Sequence, residues 1–97
     1  MSPEEEIKRA ERARQILNDD IFSEAVNQIR EALFRGIRDS AFKDDELREK
    51  LCQRYAILED LLGQLHSTME TGQLAQAELE RQSLLQQAAD KAKEFFG

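Results

Sequence analysis

A row of apolar residues in the second half of the chain is the feature that most constrains its fold. Between Leu51 and Met69, apolar residues recur in steps of four, three, four, three and four. This spacing keeps one stripe of a helix apolar over about five turns, whereas a β-strand would need alternating apolar and polar positions. The row therefore predicts a long helix with a seam that packs against other helices. Its members are Leu51, Tyr55, Leu58, Leu62, Leu65 and Met69.

The remaining sequence has helical spacing throughout and no strand pattern. We predict a single domain over residues 1–97 with four helices, at about 3–18, 20–38, 44–71 and 73–95. Ser2, followed by Pro3, is typical of a helix N-terminus. Gly72 either ends the third helix in the left-handed conformation or lies within one bent rod. Gly63 either lets another helix approach closely or costs about 1 kcal/mol relative to Ala.

Apolar residues outside the main seam indicate a second contact surface. Leu47 and Leu61 widen the seam on one side, which is typical of a bundle rather than of a two-stranded zipper. In a chain with 35% charged residues, further apolar side chains need a contact of their own; they are Phe34, Phe42, Phe95 and Phe96. The predicted fold class is therefore all-α, a small helical bundle with a long central helix. We expect a homo-oligomer whose interface is the row from Leu51 to Met69.

Charge and composition exclude several classes of function. The net charge of −6 argues against a nucleic-acid-binding face. No apolar run approaches the length of a membrane span, and the single cysteine, Cys52, rules out an intrachain disulfide. We expect a cytoplasmic protein with no membrane partner.

The residue types that carry catalysis or metal binding do not form a usable set. Cys52, Glu59 and His66 are spaced by seven residues on one helix. Seven residues rise about 10.5 Å along a helix, whereas zinc ligands lie about 2.0–2.3 Å from the metal. Cys52 and His66 are too far apart for a nucleophile and its base for the same reason. We therefore predict no catalytic residue, no metal site and no cofactor, and the protein is expected not to be an enzyme.

Four arginines form the candidate contact for an anionic ligand or an acidic partner: Arg12, Arg14, Arg30 and Arg35. If these side chains converge, the chain is a small-ligand-binding protein that sequesters a nucleotide-type host-defence signal. The alternative is a solvated surface with weak ion pairs between neighbouring helix residues. No glycine-rich phosphate loop accompanies the arginines.

Two segments resemble small all-helical proteins encoded by tailed bacteriophages and prophages. They are "ERARQILNDDIFSEAVNQIREALF" at 11–34 and "LREKLCQRYAILEDLLGQLHSTMETGQLA" at 47–75. The resemblance consists of an "AERA…IL" opening, a "D…F.EA" second helix, a "RE.L" start to the third helix and a "TGQLA" turn.

The resemblance implies an accessory, assembly or host-interaction role. We expect a non-enzymatic phage or prophage protein that acts through a helical homo-oligomer interface. Its partners would be other copies of itself and a phage or host protein. It would act in the bacterial cytoplasm or as part of the virion.

Overall fold

The computed structural model describes residues 1–96 and contains three α-helices in that range: α1, Pro3–Leu17; α2, Asp20–Asp39; and α3, Asp45–Phe96. Residues 1–96 contain no strand, and the predicted all-α fold with one long helix is confirmed. Gly97, the last residue of the predicted domain, lies outside the described residues.

Side-chain caps explain why the helices begin where they do. The Ser2 hydroxyl accepts a hydrogen bond from the Glu5 amide at 3.2 Å, and the Asp19 carboxylate accepts one from the Phe22 amide at 2.8 Å. Asp44 caps the first turn of α3 in the same way. Each cap satisfies an N–H group that has no acceptor within its own helix. The polar residues before α2 and α3 therefore end one helix and start the next, as their composition predicts.

Gly72 does not end a helix. Helix α3 has 52 residues and continues through this position, so the predicted division into helices 44–71 and 73–95 is wrong. Gly72 has no left-handed backbone conformation, and it is buried against α1. A β-carbon added here would lie 2.9 Å from the carbonyl oxygen of Glu6 and closer still to the β-carbon of Ala10. Glycine is present because two helices approach closely, which helical periodicity in one segment cannot reveal.

Helices α1 and α2 lie one after the other along α3, and both run antiparallel to it. Ala10 of α1 lies against Gly72. Further along the chain, the Phe34 ring of α2 packs on the Tyr55 ring with centroids 5.0 Å apart. Residues later in α1 and α2 therefore contact residues nearer the N-terminus of α3. The fold is a helical hairpin in which α1 and α2 form one interrupted arm and α3 forms the other.

The hairpin is long and thin, with a small core. It measures 80 × 25 × 20 Å and its radius of gyration is 22.4 Å, whereas a compact domain of this length has a radius of about 13 Å. Two helices side by side bury only one stripe on each helix. The buried apolar residues are Ala13, Val26, Leu33, Leu62 and Ala75.

The C-terminal part of α3 extends beyond the first arm. Every residue from Glu80 to Phe96 is exposed. At 1.5 Å per residue these 17 positions span about 25 Å. We call residues 80–96 the C-terminal extension.

Candidate interaction surface

The predicted interface row lies on the side of α3 that faces α1 and α2 of the same chain. All six of its members are buried or half-buried. Tyr55 packs on Phe34, and the Leu51 side chain lies 3.0 Å from where a β-carbon on Gly36 would be. The row is therefore the seam of the hairpin itself. Its use as an interface between copies stays a prediction, and the large exposed apolar side chains lie elsewhere.

The four candidate arginines are spread along the hairpin. The Arg14 side chain donates to the Glu11 carboxylate, with Nε and Oε2 3.0 Å apart, and this hydrogen bond lowers the pKa of Glu11 below its ordinary value. Arg30 donates from Nε to Oε1 of Glu59 at 2.9 Å. Two of the four cations are thus already engaged with carboxylates of the same chain. Arg35 is exposed on α2.

The grooves between the helices do not gather these arginines. They have volumes of 210 to 370 Å³, which are close to or below the lower end, about 300 Å³, of the range for small-molecule sites. Arg14 lines a groove beside Gly72, Arg30 lines another beside Leu62, and Arg12 lines two others beside Ile16. Each of these grooves contains one of the four candidates, which is the arrangement of a solvated surface with local ion pairs.

The Arg30–Glu59 pair marks one side of the α2–α3 half of the hairpin. The two residues are 29 positions apart in sequence, and both side chains are a little over one third exposed. On α2, Val26 faces α3, and Arg30 lies about 40° to one side of it because each residue advances about 100°. On α3, Leu62 faces α2, and Glu59 lies about 60° away on that same side. No local spacing rule connects these two residues, so the sequence alone did not predict their contact.

The opposite side of the α2–α3 half carries apolar side chains together with two exposed cations of α3, Arg54 and Lys50. Ile29 lies about 60° from Val26, and Leu61 about 100° from Leu62, both away from the ion pair. Ile29 is 50% exposed, Leu61 52% and Ile57 68%. We call this surface the α2–α3 mixed side. It consists of Ala25, Ile29 and Ala32 on α2 and of Leu47, Lys50, Arg54, Ile57 and Leu61 on α3.

The C-terminal extension carries a second exposed apolar stripe. On α3, Gly72 and Leu79 face α1, and the same row continues seven residues at a time through Gln86 and Lys93. The row that packs on α1 thus becomes polar beyond the hairpin. The apolar residues of the extension lie on other sides of α3; they are Leu84, Leu85, Ala88, Ala92, Phe95 and Phe96.

Cys52, Glu59 and His66 do not converge within one chain. Cys52 is exposed, Glu59 is paired with Arg30, and His66 lies two turns further along the same continuous helix. Within residues 1–96, no group of three or more His, Cys, Asp or Glu side chains is placed to hold a metal ion.

Arg48 closes the connection between α2 and α3. Its Nε donates to the Ser40 hydroxyl at 3.1 Å, and its Nη2 donates to the Ala41 carbonyl at 2.9 Å. Its Nη1 pairs with Asp45, also at 2.9 Å. Phe42, at the tip of this loop, is 93% exposed. The role of Arg48 was not predictable from the sequence, because arginine is common on exposed helix surfaces and its acceptors here include a backbone carbonyl.

Within residues 1–96, none of the helices combines the length and the apolar character needed to cross a bilayer. No family model, curated protein or solved structure matches the chain.

Proposed function

We propose that this chain is a non-enzymatic interaction protein that acts as a helical homo-oligomer. The observation that carries the proposal is the amount of surface left exposed. The chain exposes 7904 Å², whereas a folded monomer of its mass, 11.2 kDa, exposes about 5,700 Å². The difference, about 2,200 Å², is larger than the roughly 800 Å² that each partner buries in a standard protein–protein interface.

The type of exposed surface supports association rather than solvation. Large apolar side chains are exposed on the hairpin and on the C-terminal extension, among them Ile57 at 68% and Phe95 at 87%. Extensive exposed apolar surface marks protein–protein contacts in soluble proteins. The hydrophobic core of one hairpin is small, and a domain near 100 residues has little stability to spare. Association of copies would add the missing buried surface.

A role without catalysis fits the placement of the reactive residue types. Cys52 and His66 are fourteen residues apart on one continuous helix, a rise of about 21 Å. A nucleophile and its base need to be within hydrogen-bond distance.

We further propose that the oligomer serves assembly or host interaction for a tailed bacteriophage or prophage, in the bacterial cytoplasm or on the virion. The support is the resemblance of segments 11–34 and 47–75 to small helical phage proteins.

The mass of the particle in solution tests the proposal. Light scattering coupled to size exclusion, over a hundredfold range of protein concentration, should give a defined multiple of 11.2 kDa. A mass of one chain at every concentration would overturn the proposal. The elongated shape makes elution volume alone misleading, so the mass must be measured directly.

A further inference from the structure

We propose that two copies of this chain pair through the C-terminal parts of α3, with the two helices antiparallel. The inference rests on the proposed homo-oligomer and adds the location and the orientation of the contact. The partner is a second copy of the same chain, docked through the same surface, as in an isologous two-fold interface.

The surface is the face of α3 that points away from α1. Gly72 and Ala75 are buried on the side of α1. At about 100° per residue, Ala88 lies about 140° or more from both of them. We call the face within about 80° of Ala88, from residue 74 to residue 96, the reverse stripe. Its large apolar side chains are Leu74, Leu84, Leu85, Phe95 and Phe96, and all five are exposed.

The charges at one edge of the reverse stripe fit an antiparallel pair. Glu80 and Lys91 lie on the same edge, about 80° and 60° from Ala88. A two-fold axis brings this edge of one helix against the same edge of the other. When the helices meet midway between residues 85 and 86, Glu80 of each copy lies opposite Lys91 of the other. The contact therefore includes two symmetric pairs of opposite charge, which favour this register.

The same register places large side chains against small ones. Phe95 of one copy lies opposite Ala77 of the other, and Leu84 opposite Ala88, each with an offset of about 1.5 Å along the axis. Large and small residues that face each other fill the space between helices without gaps. In a parallel pair, Phe95 would face Phe95 and Ala88 would face Ala88, so the fit would be uneven.

Arg81, a charged residue near the middle of the stripe, also favours the antiparallel orientation. Its Nη2 lies 3.0 Å from Oε1 of Glu78 at the edge of the stripe, so its aliphatic stem can cover apolar surface while the charged head stays in water. In a parallel pair in register, the two Arg81 side chains would face each other. In the antiparallel pair they are about 13 Å apart along the axis.

The area of the reverse stripe is sufficient for a specific contact. Phe95 and Phe96 are 87% and 92% exposed, and an aromatic side chain buries about 150–250 Å². Leu74, Leu84 and Leu85 are 58% to 73% exposed, and each has about 60–120 Å² to bury in full. The five side chains together offer about 400–700 Å² per copy. Specific interfaces begin at about 500 Å² per partner.

Paired charge substitutions test the location. Leu84→Glu with Leu85→Glu places two carboxylates on the reverse stripe, and Ile57→Glu with Leu61→Glu makes the same type of change on the α2–α3 mixed side. All four residues are at least half exposed in one chain, so each variant keeps the contacts of the hairpin. By light scattering, we expect the first variant to have the mass of one chain, 11.2 kDa, and the second to keep the wild-type mass. Far-ultraviolet circular dichroism should show that both remain helical.

Each result has a distinct meaning. A wild-type chain that is monomeric at every concentration overturns the proposed function and this inference with it. A wild-type oligomer that the reverse-stripe variant preserves, or that the mixed-side variant also disrupts, overturns the location and leaves the oligomer standing.

Cross-linking tests the orientation without disrupting the pair. Two single-cysteine chains are made with Cys52→Ser, one carrying Ala77→Cys and the other Ala92→Cys. In the antiparallel pair, the unlike thiols lie on facing stripes with an offset of about 3 Å along the axis, whereas like thiols are about 20–26 Å apart. After the two chains are unfolded and refolded together, a short bismaleimide should give covalent dimers in several-fold higher yield than with either chain alone. Equal yields, or a higher yield from one chain alone, would overturn the antiparallel pairing.

Discussion

Gly72 of α3 lies directly against Ala10 of α1, and this contact sets how closely the two helices approach. A β-carbon at Gly72 would lie 2.9 Å from the Glu6 carbonyl oxygen and 3.4 Å from the α-carbon of Ala10. These are backbone atoms, which cannot rotate away as the end of a flexible side chain can. The close approach buries Ala13 and Ala75 nearby, so α1 is held by small residues rather than by large ones.

The first prediction is that Gly72→Ala destabilises the protein. The added methyl group forces α1 away from α3, and overpacking of this kind costs about 1–3 kcal/mol. Alanine regains about 1 kcal/mol of helix propensity. The two terms together give a net loss of up to about 2 kcal/mol in the free energy of unfolding, measured by urea denaturation at a fixed protein concentration.

The second prediction is that Gly63→Ala stabilises it. Gly63 is in the same helix, but no atom lies within 4 Å of the position that its β-carbon would take. The substitution then changes only helix propensity, which is higher for alanine than for glycine and should raise the free energy of unfolding by about 1 kcal/mol. The variant is also the matched control for Gly72→Ala. Equal stabilisation by both substitutions would mean that α1 does not approach α3 as closely as the Gly72 contact requires.

The two glycines also show which parts of the fold the sequence could predict. The breaks before α2 and α3 were predictable because a cap needs only a polar side chain at the right local position, as at Asp19 and Asp44. The role of Gly72 was not predictable, because it depends on contact with Ala10, which is 62 positions away in sequence. Local patterns determine where a helix can begin; distant contacts decide whether a glycine is tolerated inside it.

The apolar surfaces were also only partly predictable from the sequence. The row from Leu51 to Met69 was predictable as an apolar seam from spacing alone. The half exposure of Ile29 and Leu61 was not predictable. Helical spacing identifies an apolar stripe but does not say how much of it the chain itself covers. Here α1 and α2 supply one layer against α3, and the edges of each stripe remain uncovered.

The third prediction concerns the seam itself. Leu62 is 8% exposed, and Leu62→Ala should lower the free energy of unfolding by about 2–5 kcal/mol, because it removes buried methyl groups and leaves a cavity. Ile57→Ala is the control on the same helix, since Ile57 is 68% exposed, and it should change stability by less than about 0.5 kcal/mol. Chemical denaturation of both variants at the same protein concentration measures the two changes in the free energy of unfolding. Similar effects at the two positions would contradict the placement of α2 over Leu62.

The fourth prediction is that Arg48→Met loosens the connection between α2 and α3. The substitution keeps the aliphatic stem and removes the donors to Ser40 and Ala41. A hydrogen bond to a charged group contributes about 1.5–3 kcal/mol. Because Arg48 is one third exposed, water competes for both of its bonds, and we expect a total loss of about 1.5 kcal/mol, well below their sum. Lys50→Met, which removes only a surface pair with Glu46, should cost less than about 0.5 kcal/mol. Hydrogen exchange at residues 40–48 should increase in the first variant and not in the second.

The fifth prediction is that the Arg30–Glu59 pair couples α2 to α3 only weakly. Their closest nitrogen–oxygen distance is 2.9 Å, but the side chains remain 36% and 38% exposed, so water screens the attraction. A double-mutant cycle with Arg30→Met and Glu59→Gln should give a coupling free energy of about 0.2–1 kcal/mol. The coupling should shrink between 0.05 M and 1 M salt, because the Debye length falls to about 3 Å at the higher concentration. A coupling above about 2 kcal/mol that salt leaves unchanged would mean that another chain covers this side of the hairpin and buries the pair.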